Sequence, residues 1–271
     1  MTMASKLTAV LAAAKAENRA ALIGYLPAGF PTVAGGIEAA GALIEGGCDV
    51  VEVGLPHSDP VLDGPTIQTA DDIALRGGVR IKDVLHTVAE VAAAHPEAAV
   101  LVMTYWNPVD RYGVARFAAD LAAAGGAGCI LPDLPVEESE EWRKAAGEHG
   151  LDTVFVVAPS SKDARLAEVT AAGSGFVYAA AVMGVTGTRA AVGNLAEDLV
   201  ARTRATTELP VCVGLGVSNA AQAAEVARFA DGVIVGSAFV QRILDADGDQ
   251  AAALAAVRAL AGELAEGVRR R

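Results

Sequence analysis

One alternation governs what this sequence can become. Short, apolar, β-branched runs are separated by Ala-rich stretches of helical length. Eight such runs stand out: Ala21–Tyr25, Val50–Val53, Val100–Thr104, Gly128–Leu131, Thr153–Val157, Phe176–Ala180, Val211–Val213 and Gly232–Val235. Each is nearly continuous in hydrophobicity, the pattern of parallel strands covered on both faces. The junctions that lead into the runs resemble one another, as in I-E-G-G-C-D-V-V at Ile44–Val51, A-A-G-G-A-G-C-I at Ala123–Ile130 and A-A-G-S-G-F-V at Ala171–Val177. A glycine after a last helical turn closes the helix in the left-handed conformation and lets the backbone drop into the next strand. No Ser/Pro-rich linker and no shift of composition divides the sequence, so residues 1–271 are expected to form one domain. Eight strand–helix units either close as a barrel or open as a doubly wound sheet. The count, and the absence of G-x-G-x-x-G after the first run, favour a single-domain (β/α)8 TIM barrel. Leu7, Val10, Leu11 and Ala14 at helical spacing add an N-terminal helix, and Gln250–Val268 reads as a long closing helix.

Charge narrows the partners. With 21 Lys+Arg against 33 Asp+Glu the net charge is −12. No basic tract beyond Arg269–Arg271 exists to hold nucleic acid or an anionic membrane. The longest uncharged stretch, Val169–Thr188, is broken by Gly173, Gly175, Gly184 and Gly187, a poor membrane span. Cys48, Cys129 and Cys212 lie unpatterned in apolar runs and read as buried thiols of a reducing compartment. A cytoplasmic protein is expected.

A barrel places chemistry on the loops after the strands, and V-E-V-G-L-P-H-S-D-P-V-L-D-G-P at Val51–Pro65 is the most informative of these. Glu52 interrupts an apolar strand. In a low-dielectric site its anion is disfavoured and its pKa rises toward neutrality, as a general acid/base requires. Asp63, eleven residues on, lies on a loop where it is expected to be more polar and to stay ionised. Two carboxylates in unequal environments suit a reaction needing one proton donor and one fixed anion. The competing reading pairs Glu52 with an arginine and leaves Asp59 and Asp63 to shape turns.

The last two strands carry small-residue loops, Gly214-Leu215-Gly216-Val217-Ser218 and Gly236-Ser237-Ala238. Exposed backbone N–H groups and a helix N-terminus at this place in a barrel hold a phosphate without lysine. Val182–Arg189 after the sixth run reads as a flap, or as a slack surface loop. Tyr25, Tyr105 and Tyr178 end runs one, three and six, a flat ligand wall with hydroxyl handles or ordinary caps of the core. Lysines stand only at positions 6, 15, 82, 144 and 162, outside every run, which disfavours a Schiff-base aldolase. Scattered histidines give no convergent metal set. Proton-transfer or carbon–carbon chemistry by carboxylates remains.

With these residues together, the sequence resembles the tryptophan synthase alpha subunit family. The motifs are Val51–Gln68, L-P-D-L-P-V-E-E-S at Leu131–Ser139, M-G-V-T-G at Met183–Gly187, G-L-G-V-S and the late G-S-A, in the family's order from about Tyr25 to Leu244. The resemblance implies a (β/α)8 barrel that cleaves indole-3-glycerol phosphate to indole and glyceraldehyde 3-phosphate. It also implies no cofactor of its own, and a pyridoxal-phosphate beta subunit that takes the indole through a tunnel in an α2β2 assembly. By resemblance Glu52 is the acid/base, and Asp63 accepts the indole N–H. Tyr178 aligns with an active-site tyrosine; Tyr25, Met103, Tyr105, Ile130 and Leu215 align with the indole pocket. Gly187, Gly216, Gly236 and Ser237 align with the phosphate site, and Thr186 closes onto Asp63. Pro56–Asp63, Asn107–Pro108 and Asp133–Pro135 match the partner-facing surface. His57 stands where Phe or Tyr is more usual, Ala181 where Ser is, and Leu26–Pro31 replaces the usual turn after the first strand. Rival readings are a free-standing lyase that releases indole, an idle barrel that activates a beta subunit, and a phosphate-sugar isomerase.

Overall fold

The computed structural model describes residues 5–181 and 189–270. Among them nine strands form one all-parallel sheet: β1 Ala21–Pro27, β2 Val50–Gly54, β3 Ala99–Met103, β4 Gly128–Ile130, β5 Asp152–Val154, β6 Val156–Val157, β7 Val177–Ala180, β8 Val211–Gly214 and β9 Gly232–Val235. The spatial order is β5-β4-β3-β2-β1-β9-β8-β7-β6. The expected eight become nine because the fifth run changes partner midway. Asp152–Val154 pairs with β4 and Val156–Val157 with β7. Only Phe155 separates the two segments, so the ring of strands is closed through the covalent backbone, and the (β/α)8 architecture stands.

Alternation along each strand sorts the core into two parts. Outward residues such as Leu22, Val51, Val53, Val100, Val102, Val213 and Val233 pack beneath the surrounding helices. Inward residues, Ala21, Ile23, Val50, Ala99, Leu101, Ile130, Val154, Cys212 and Ile234, fill the barrel. The helix Lys6–Ala16, capped by the Ser5 hydroxyl, adds Leu7, Leu11 and Ala14 to this interior cluster and plugs the end where the strands begin. The closing helix Gln250–Val268 forms as expected, with Asp249 accepting from the Ala252 N–H as its cap. No described helix is long and apolar enough to cross a membrane, and all three cysteines are free and buried.

The interior periodicity also aims the site. Val50 and Glu52 lie on the same side of β2, so Glu52 is the next inward position above the apolar plug. Parallel register sets it beside Tyr25 of β1 and Leu101 of β3.

Candidate active site

At the carboxyl ends of the strands a cavity of about 350 Å³ opens into the barrel, within the size range of ligand sites. Glu52, Tyr25, Tyr178, Met103 and Ile234 line its inner part, and Leu62, Asp63, Ile67 and Pro132 one side. Gly214, Gly216, Gly236 and Ser237 line it as well.

Glu52 is fully buried, and among the described residues neither carboxyl oxygen has a hydrogen-bond partner. Burial alone pushes its pKa up to about 8, because an anion there would lose its water and gain nothing in exchange. No arginine pairs with it among the described residues, so the ion-pair reading fails. At neutral pH Glu52 is a carboxylic acid with a proton to give.

Asp63 sits on the loop between β2 and the helix Pro65–Arg76 and is only part-buried. The Tyr105 hydroxyl lies 3.3 Å from its Oδ2 and donates to it. The same hydroxyl accepts the Leu62 N–H at 3.0 Å, so Tyr105 ties the loop down at both Leu62 and Asp63. Its surroundings are less polar than expected for a loop residue: desolvation raises its pKa, against the opposing pull of the Tyr105 hydrogen bond and of His57. The inequality of the two carboxyls survives, since Glu52 has no such donor. The His57 ring lies 4.6 Å from that of Tyr105, so it packs as an aromatic would there.

Two glycines make room for the wall. A Cβ on Gly54 would overlap the Tyr25 hydroxyl, and one on Gly214 would lie 2.6 Å from the Tyr178 hydroxyl. At the rim Gly216 has φ +68°, the left-handed region where side chains are strained. Gly236 precedes the helix Ser237–Asp245, whose first N–H groups have no carbonyl a turn earlier to bond. Among the described residues no lysine or arginine lines the cavity; an anion here would meet backbone N–H groups and a helix dipole.

Known proteins share this sequence and fold. The family model for the tryptophan synthase alpha chain matches residues 11–269. The tryptophan synthase alpha chain of Streptomyces avermitilis is 77% identical over 263 residues, covering 97% of this chain and 94% of the relative. That of Thermobifida fusca is 61% identical, covering 96% of each. A crystal structure of tryptophan synthase from Mycobacterium tuberculosis, an open form with BRD0059 bound, superposes with a TM-score of 0.89 at 52% identity, covering 98% of this chain and 99% of the other. The chain belongs to the tryptophan synthase alpha chain family.

It is accordingly a carbon–carbon lyase of tryptophan biosynthesis, acting on indole-3-glycerol phosphate. Of the residues expected in the site of a tryptophan synthase alpha chain, Glu52, Asp63, Tyr25, Met103, Tyr178, Gly216, Gly236 and Ser237 converge on this one cavity. Tyr105 does not end β3; it caps the helix Trp106–Tyr112 and reaches the site through Asp63. Ile130 is fully buried in the interior cluster and Leu215 packs against the outer one, so neither is among the lining residues. Thr186 and Gly187, with the other expected flap residues up to position 188, lie outside the described residues, and Arg189 opens the helix Arg189–Arg204. The lining also includes Ile67, Val156 and Ser161, which the sequence did not single out. Val156 had a usable signal: it lies two residues from Val154 and so faces inward with it. No group of three or more His, Cys, Asp or Glu side chains among the described residues is placed to hold a metal ion.

Proposed function

We propose that Glu52 and Asp63 carry the cleavage of indole-3-glycerol phosphate, within one barrel domain spanning residues 1–271. Glu52, protonated at neutral pH, gives its proton to indole C3, and the ring becomes a positively charged indolenine. Asp63 accepts the indole N–H and stabilises that charge. The electron pair of the bond joining indole C3 to the glycerol carbon then returns to the ring. The hydroxyl on the departing carbon gives its proton to the Glu52 carboxylate as the aldehyde forms, and Glu52 ends as it began. Tyr25, Met103 and Tyr178 wall the ring, while the Gly216 loop and the Gly236–Ser237 helix start take the phosphate. Ile130 and Leu215 support the wall from behind, and Thr186 and Gly187 act from the flap.

The observation that carries this reading is a carboxyl group with no partner, buried at the wall of a cavity that also holds a part-buried carboxylate. These steps use the protein's own side chains; pyridoxal phosphate belongs to the beta subunit. That partner covers the lip formed by Pro56–Asp63, Asn107–Pro108 and Asp133–Pro135, in an α2β2 assembly in the cytoplasm. Support for a covered lip comes from Val61 and Leu62, 82% and 49% exposed beside the cavity mouth, an exposed apolar pair suited to a protein contact.

Indole release from indole-3-glycerol phosphate tests the assignment. The purified protein should release indole slowly alone and much faster with a beta subunit. Equal, rapid release without one would identify a free-standing lyase. Unchanged release by Glu52→Gln would remove the acid assigned here.

A further inference from the structure

Of the described buried acids that the mechanism leaves unused, Asp152 accepts the Ser5 hydroxyl, whereas Asp71 keeps an unpartnered oxygen. Asp71 lies in the helix Pro65–Arg76 between Ala70 and Ala74, on the face those alanines bury, and is 3% exposed. Aspartate is rarely buried so deeply without a cation. Among the described residues its Oδ1 has no hydrogen-bond partner, and the His57 backbone N–H serves the carboxyl group. Beside the main cavity is a second one of about 20 Å³, lined by Asp71, Asp63, Tyr25, Thr104 and Tyr105 among others, with room for about one water molecule. Asp71 and Asp63 therefore face one narrow gap, which Leu55, Leu62, Met103 and Pro132 also line, and among the described residues no lysine or arginine lines it.

Two carboxylates cannot both ionise cheaply in such a place. We propose that Asp71 is a positioning residue for Asp63: it retains the proton of the pair and donates it as a hydrogen bond across the gap, holding Asp63 as the anion that faces the ring. This proposal rests on the role given to Asp63 above. Which acid keeps the proton follows from the surroundings. Asp63 receives the Tyr105 hydroxyl, which favours its charged form. Asp71 is pushed up to about 7 by desolvation first and by the charge of Asp63 second, with only the His57 N–H opposing. The other titratable groups around the gap, among the described residues, are His57, whose ring packs on Tyr105 and opposes the rise at Asp63, and the tyrosines. Tyr25 feels Asp71, Asp63 and Glu52, and Tyr105 feels Asp63 and Asp133; burial raises both phenols, so neither supplies a charge near neutrality.

The test is carboxyl carbon NMR on the full-length protein labelled with ¹³C-aspartate, combined with the pH dependence of cleavage. One carboxyl should titrate near pH 7. It should vanish in Asp71→Asn and move to lower pH in Asp63→Asn, where the neighbouring charge is gone. Asp71→Asn keeps a neutral donor of the same shape, so its indole release at pH 6 should stay within a few-fold of wild type. Its rate profile should lose an ionisation near pH 7 and keep the one above it, a change that loss of packing would not produce. The Asp63→Asn arm leaves Asp71 itself intact and reads the coupling even where Asp71→Asn does not fold. An Asp71 signal that titrates in the ordinary carboxylate range, or one unmoved by Asp63→Asn, overturns the proposal while leaving the lyase assignment standing. Coupling in a protein that releases no indole with its partner present overturns the role of Asp63, and that of Asp71 with it.

Discussion

Glu52 illustrates how a functional side chain is held at a cost to the fold. Its carboxyl titrates near 4.5 when unfolded and near 8 in the native state. As pH rises above 4.5 the unfolded state ionises while the native state does not, so native stability falls until about pH 8. At 1.36 kcal/mol per pH unit the loss by pH 7 is about 3 kcal/mol. Glu52→Gln keeps the shape without the titration. It should be more stable than wild type by about that amount at pH 7 and nearly equal near pH 4, as urea unfolding at the two pH values would measure. The same variant should lose about 10²- to 10⁴-fold in cleavage, the usual share of a general acid. Glu52 was legible in the sequence because a charge inside an apolar strand has few bland explanations. Asp71 was not: beside Asp72 in a polar helix it looks like a solvated face, and only the packing of that helix buries it.

Strand-to-helix connections set the anion cradle, and their glycines act in different ways. Gly214 clears space for Tyr178, whereas a Cβ on Gly216 would touch nothing and its constraint is the backbone angle alone. Gly216→Ala should therefore cost roughly 1–2 kcal/mol of stability and raise KM for indole-3-glycerol phosphate more than it lowers kcat. Inhibition by glycerol phosphate, which lacks the ring, should weaken in parallel; unchanged KM and inhibition would place the phosphate elsewhere. The βα loops were readable from their small residues, and the strands from their unbroken hydrophobicity. That same property concealed the division of the fifth run: Thr153–Val157 is uniformly apolar after its first residue, and the switch of partner at Phe155 is decided by the ring of neighbours. Ile130 and Leu215 were expected at the ligand wall because they align with the indole pocket of the family. Their packing against the core follows from side-chain direction, which position in a loop motif does not specify.

At the scale of the whole barrel, stability and chemistry occupy opposite ends. The helix Lys6–Ala16 seals the interior where the strands begin, with Leu7 fully buried, while the carboxyl groups gather where they end. Leu7→Ala should cost about 2–5 kcal/mol, seen as a lower Tm, with kcat and KM at a permissive temperature unchanged. A large change in kcat would mean that the two ends are coupled. The closed ring of strands, the inward turn of Glu52 and the water-poor wall around it form one arrangement, because the alternation that fills the barrel also carries Glu52 to its mouth. The pH dependence of indole formation by the complex with the beta subunit tests that arrangement most directly. Cleavage should bend near pH 7, where Asp71 titrates, and fall away as pH rises through about 8, where Glu52 loses its proton. A rate that stays level well above that point, or that climbs with pH, would contradict a buried neutral acid as the proton donor.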